Sequence, residues 1–112
     1  MDTPGGAWVE MDGTTPVELI AAPAAGTKVS ARLWIYNADD VAHGVYWYKL
    51  LTGPVEVPVW YTGATAVAAD DVYALPLVVT LEPGEALMLV MDEANNSATA
   101  PVAHASSMEM TV

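Results

Sequence analysis

Two histidines are the first residues to weigh for chemistry. His43 closes the segment Asn37-Ala38-Asp39-Asp40-Val41-Ala42-His43, and an imidazole beside two carboxylates is the material of a metal centre or an acid–base pair. A zinc centre needs three or four converging ligands. The second histidine, His104, lies far along the chain, and its first acidic neighbour downstream is Glu109. Asn and Asp also cap turns, so the segment reads as a hairpin loop. Asp70-Asp71 and Asp92-Glu93 lack the repeated Asp and Gly spacing of a calcium loop and read as solvated loop acids. Nucleophilic chemistry has less support: the chain has no Cys and no Gly-x-Ser-x-Gly turn, and Ser30, Ser97, Ser106 and Ser107 have no His and Asp partners in recognisable order. No glycine-rich loop opens a helix to cradle phosphate. The expectation is a non-enzymatic protein with no catalytic residue, no cofactor and no metal.

Four tryptophans and five tyrosines, with no phenylalanine, supply the other residues able to carry a function, at positions 8, 34, 36, 46, 47, 48, 60, 61 and 73. Each joins a large apolar body to one polar atom, which suits half-buried surfaces. Strands must position them. Turn signals at Asp12-Gly13, Pro23 to Gly26, Asn37 to Asp40, Thr52 to Pro54, Thr62-Gly63, Pro83-Gly84 and Asn95 to Ser97 recur about every 8 to 12 residues, the spacing of a sandwich or barrel. Between them lie about eight candidate strands rich in Val, Ile, Thr, Tyr and Trp: Trp8 to Met11, Val17 to Ala21, Thr27 to Tyr36, Val45 to Leu51, Val55 to Tyr61, Tyr73 to Leu81, Ala86 to Met91 and Val102 to Val112. The window Ala64 to Leu75 lacks an amphipathic stripe before Pro76 and predicts one or two helical turns at most. The fold class expected is therefore all-β: a single antiparallel β-sandwich, jelly-roll-like, with little or no helix. One domain spans residues 1–112, with Met1 to Gly6 and Asn95 to Ala100 as mobile segments.

Alternation in Thr27 to Tyr36 puts Val29, Ala31, Leu33 and Ile35 on one face and Lys28, Ser30, Arg32, Trp34 and Tyr36 on the other. If the next strand pairs with it as a hairpin, setting Trp34 against Trp47 would also set Arg32 against Lys49, an unfavourable pair of like charges. A one-residue shift avoids this. It turns Leu33, Ile35, Val45 and Trp47 inward and gathers Arg32, Trp34, Tyr36, Tyr46 and Tyr48 on one outer face, a candidate protein interface or sugar platform. Leu75 to Leu81 and Ala86 to Met91, joined by Glu82-Pro83-Gly84-Glu85 in a type II turn, are apolar on both faces. Read as a hairpin they need cover from a second subunit, which makes Leu77, Val79, Leu87, Leu89 and Met91 candidate contacts of a homo-oligomer.

Charge narrows the partners. Fourteen Asp and Glu face three basic residues, Lys28, Arg32 and Lys49, for a formal net charge of -11. So few cations cannot form the basic track that nucleic acid or an anionic membrane requires. The chain is expected to be soluble and unexported, since no apolar run reaches about 20 residues and Met1 to Gly6 lacks the pattern of a signal peptide. Without cysteine, packing or neighbouring subunits must hold the domain together.

The segment PVELIAAPAAGTKVSARLWIYNADDVAHGV (Pro16 to Val45), the later LEPGEALML and the alternating Ser106 to Val112 resemble a pattern in small virion proteins of tailed bacteriophages. There, a strand ending in Ala-Ala-Pro-Ala-x-Gly-Thr leads into a long alternating strand, a Tyr-Asn-Ala-Asp turn, Ala-His and a further strand. This chain departs in having Lys28-Val29 where Arg-Arg often follows Gly-Thr, and in its greater acidity. The resemblance implies a β-sandwich without catalytic residues and, among the jobs such proteins do, a capsid decoration or cement protein on the outer surface of the phage head. Its implied partners are the major capsid protein and two further copies in a homotrimer. The alternatives are a tail or fibre adhesion module binding host glycan, or a neck or tail structural subunit.

Overall fold

The computed structural model describes residues 2–112. Its strands are β1 (Thr3–Glu10), β2 (Val17–Ile20), β3 (Thr27–Tyr36), β4 (Val45–Leu51), β5 (Val55–Tyr61), β6 (Val72–Ala74), β7 (Val79–Leu81), β8 (Ala86–Met91) and β9 (Val102–Thr111). No helix occurs among the described residues. β1, β9 and β3 pair in that order, and β6 and β7 share the far side of β3 to complete a five-stranded antiparallel sheet. β2, β8, β4 and β5 form the second sheet. Consecutive strands change sheets at every step except β4 to β5 and β6 to β7.

Period-two alternation fills the space between the sheets. β3 sends in Val29, Ala31, Leu33 and Ile35, β9 adds Ala103 and Ala105, and the opposing β4 and β8 supply Val45, Trp47, Leu87, Leu89 and Met91. Trp47 is fully buried, its ring 6.4 Å from that of Tyr73, whose hydroxyl accepts a 2.8 Å hydrogen bond from the Trp60 indole N–H. The small alanines of β9 share this core with the large Trp47, so residue volumes within it are mixed.

Several expectations need correction. β3 and β4 do not form a hairpin; they lie in different sheets, because the segment between them crosses from one layer to the other. The inward set of Leu33, Ile35, Val45 and Trp47 still holds, since each strand's alternation is independent of its partner. β7 and β8 likewise lie in different sheets. The turn joining them has the expected shape, with Gly84 at φ 83° and Glu85 N–H donating to the Glu82 carbonyl at 3.1 Å, but it links layers. Residues Tyr73 to Leu81 are two strands, because Pro76 has no N–H to continue the ladder on β3. Thr3 to Gly6 belongs to β1, paired residue by residue with Glu109 to Ser106 of β9. Pro4 is tolerated there because β1 is a sheet edge.

Gly44, where the β3–β4 crossover meets β4, has no room for a side chain. A Cβ would lie 2.5 Å from Asp92 Oδ2 and 2.7 Å from the Gly63 carbonyl oxygen. Gly44→Ala should lower unfolding free energy by about 1–3 kcal/mol, the usual cost of overpacking, whereas Gly6→Ala on the edge strand should change it by under about 1 kcal/mol. Urea titration of both variants checks the contrast.

Candidate functional site

The Asp39–His43 segment is the chain's principal buried polar cluster. Asn37, Asp39 and His43 are all at most 2% exposed. Each Asp39 carboxylate oxygen accepts two hydrogen bonds. Oδ2 takes the His43 Nε2–H at 2.7 Å and the Asn96 N–H at 2.8 Å; Oδ1 takes the Ser97 and Asp40 N–H groups, both at 2.8 Å. Loss of water raises the Asp39 pKa, but bonds from Asn96, His43, Asp40 and Ser97 outweigh it and hold the carboxyl well below the usual carboxylate range. Asn37 completes the cluster, donating from Nδ2 to the carbonyls of Val41 at 2.8 Å, Val67 at 3.1 Å and Ala68 at 3.2 Å. The Asp-Asp-x-x-His spacing thus caps turns, as its residue types suggest, but it does so in the interior, tying the β3–β4 crossover to loops 67–68 and 96–97. Those ties also fix Asn96 and Ser97, in a stretch expected to be mobile. His43 Nδ1 is buried without a partner, and no three His, Asp or Glu converge on a metal position among the described residues. The geometry is that of a structural staple.

The aromatic residues expected on one face are on two. Arg32, Trp34 and Tyr36 lie on the outer face of the five-stranded sheet, while Tyr46 and Tyr48 lie on the opposite side of the molecule, outside the four-stranded sheet. Tyr46 and Tyr48 stack with centroids 5.3 Å apart, and Tyr48 is buried although it stands outside the core. Burial, then the nearby carboxylate of Glu56, raises its pKa. The candidate contacts on the later strands are enclosed by the sandwich itself: Val79 is 4% exposed, Met91 2%, Leu87 and Leu89 0%, and Leu77 packs against the same core. Their apolar character serves the chain's own core and leaves them little area for a second subunit.

Register orders the outer face of the five-stranded sheet in rows. At one end Glu10, Val102, Tyr36 and Val72 stand side by side, and the Tyr36 hydroxyl donates to Asp70, an interaction that raises the tyrosine pKa. The next row is Trp8, His104, Trp34 and Ala74, in which His104 and Trp34 stack at 5.5 Å with planes 5° apart. Then come Gly6, Ser106 and Arg32; Pro4, Met108, Ser30 and Thr80; and finally Met110 beside Lys28. Trp8 is 67% exposed, Val72 57% and Met108 38%. Sequence reasoning missed Trp8, His104, Val72 and Met108. Alternation within each strand marks their side, but only the pairing of β1 with β9 and of β9 and β6 with β3 brings them together. Trp, Tyr, Met and Arg are the types enriched where proteins bind proteins.

No protein-family model and no curated protein sequence matches this chain. Its fold recurs in solved structures. A chain of the acidic stable capsid structure of Helicobacter pylori bacteriophage KHP30 superposes with a TM-score of 0.62 at 10% identity, over 97% of this chain and 87% of that one. A chain of the Bacillus endospore appendages, a family of disulfide-linked pili, gives 0.57 at 11% identity, over 100% and 88%. A chain of the cyanophage Pam1 capsid asymmetric unit gives 0.51 at 12%, over 97% and 84%. At such identities the likeness is one of fold.

The staple has a pH signature. Asp39's folded pKa lies below its unfolded value of about 3.9, so the network stabilises the fold fully above that value and loses its contribution as pH falls below roughly 4. Thermal melts from pH 7 to pH 2 should show wild type losing stability through that window. Asp39→Asn should be less stable at pH 7 and lose less on acidification.

Proposed function

We propose that this chain is a non-enzymatic structural protein of a tailed-bacteriophage virion, a capsid decoration protein that sits on the outer surface of the head, binds the major capsid protein and self-associates as a trimer. The observation that carries the reading is the outer face of the five-stranded sheet, where exposed Trp8 flanks the stacked His104 and Trp34, exposed Val72 stands in the next row and exposed Met108 two rows away on the other side. A protein that works by covering area needs such a face. The strand order supports it: β1-β9-β3 with β6 and β7, against β2-β8-β4-β5, is the interleaved Greek-key order of a jelly roll, an architecture frequent in capsid and lectin domains. The capsid likenesses agree with it. The buried polar groups also fit a structural role, because Asp39, His43 and Asn37 bond chiefly to one another and to loop backbone.

Self-association falls to the outer face of the four-stranded sheet, where Tyr46, Leu50, Met88 and Val90 are half-buried and Tyr61 is 51% exposed. A tail adhesion module would use the rings of the other face to stack sugars. Such a module also wants carboxylates or amides beside its rings to hold hydroxyls; the row on one side of Trp8 and Trp34 offers Ser106 and Arg32, and of the two carboxylates on the other side, Glu10 and Asp70, Asp70 is already engaged by the Tyr36 hydroxyl.

Two measurements test the reading. Light scattering at micromolar concentration should give the mass of three chains, and a monomer would remove the self-association. In a density map of the intact particle this sandwich should stand on the outer shell; a position on the neck or tail fibre would replace the decoration role.

A further inference from the structure

We infer that the outer face of the five-stranded sheet seats this chain on the head, and that the surface it meets is a carboxylate-bearing protein surface of a different chain. This rests on the decoration reading and adds to it the docking face and the chemistry of its partner. Of the three basic residues, Lys49 is held by Glu85 at 3.3 Å. Lys28 and Arg32 make no ion pair among the described residues, and both stand on this face. They lie four residues apart on one strand, which places them about 13 Å from each other along it. The carboxylates at this face, Glu10 among its strand positions and Asp70 against the Tyr36 hydroxyl, stand at the row farthest from Lys28. A chain with 14 acids thus leaves two cations without a partner, beside exposed indole and thioether groups. Buried under a second protein surface, both would need carboxylates opposite them.

A second copy fits this face poorly. The rows run Tyr36, Trp34, Arg32, Ser30, Lys28, so Arg32 occupies the middle. Two copies packed face to face on a two-fold axis through the middle of β3 meet in one of two ways. With strands reversed, Arg32 is centred on Arg32; with strands aligned, the two cationic ends coincide. Either arrangement sets like charge against like charge, and a net charge of -11 on each copy adds repulsion.

The test uses heads purified from particles that lack this chain, titrated with the whole protein and read by co-sedimentation. Lys28→Glu with Arg32→Glu should weaken binding by about 10- to 100-fold, and Trp8→Ala with Trp34→Ala by a similar factor. Asp12→Lys with Glu93→Lys, at exposed loop positions outside the strands of either sheet, should stay within about threefold of wild type. Thermal melts establish that each variant is folded. Should the double charge reversal prove unstable, Arg32→Gln and a salt titration of wild type read the same contribution, with binding expected to fall as salt rises. Wild type that fails to bind heads sinks the decoration reading and this inference together. Wild type that binds while the charge-reversed protein binds equally well sinks the inference alone. If charge reversal instead lowers the self-associated mass and leaves head binding intact, the occupant is a second copy and the inference is overturned. It is equally overturned if the Trp8 and Trp34 variant loses binding to a host glycan while still binding heads.

Discussion

A single carboxylate held out of water organises one end of this molecule. Asp39 stands where the chain leaves one sheet for the other, and its four hydrogen bonds come from the crossover itself, from His43 and from a loop nearly 60 residues away. A buried charge is costly unless every lone pair is used, and here the two oxygens are fully engaged. That requirement gives the crossover one conformation. It delivers Gly44 to the narrow place beside Asp92 and Gly63, and it starts β4 in the register that turns Trp47 inward. Asn37 does the same for the loop before β6, by donating to the carbonyls of Val41, Val67 and Ala68.

With the crossovers fixed, the sandwich divides the chain's apolar surplus in two. The inward half makes the core, which the small Ala103 and Ala105 of β9 share with Trp47 and Leu89 of the other sheet. The outward half is separated onto opposite sides of the molecule. Outside the four-stranded sheet the large side chains cover one another, so Tyr48 is buried without belonging to the core. Outside the five-stranded sheet the residues stand in open rows, with Trp8 and Val72 largely uncovered. The two sides therefore differ in character, one with its large side chains packed against one another and the other with rings and cations standing open.

Fold likeness without sequence likeness has a physical basis here. Two antiparallel layers joined by crossovers require alternation in the strands, turn-forming residues between them and volume balance in the core, and many sequences satisfy those conditions. The surface rows and the staple at the crossover are under no such general requirement. They belong to this chain.

The sequence by itself determined the all-β class, most strand boundaries and the inward face of each long strand, because alternation and turn chemistry are local properties. The pairings Val29–Ile35 inward and Val45–Trp47 inward were legible for that reason. Which strands are neighbours was not legible. Thr27 to Tyr36 and Val45 to Leu51 carry the same alternation whether they form a hairpin or lie in opposite layers, and in the crossing arrangement the segment between them is tied by Asp39 to the distant Asn96 and Ser97. The same ambiguity made β7 and β8 look like a ribbon needing outside cover, when the opposite layer supplies it. Only the tertiary structure sets Trp8 beside His104 and Trp34, because that row draws on strands almost 100 residues apart whose adjacency is fixed by packing two sheets at once.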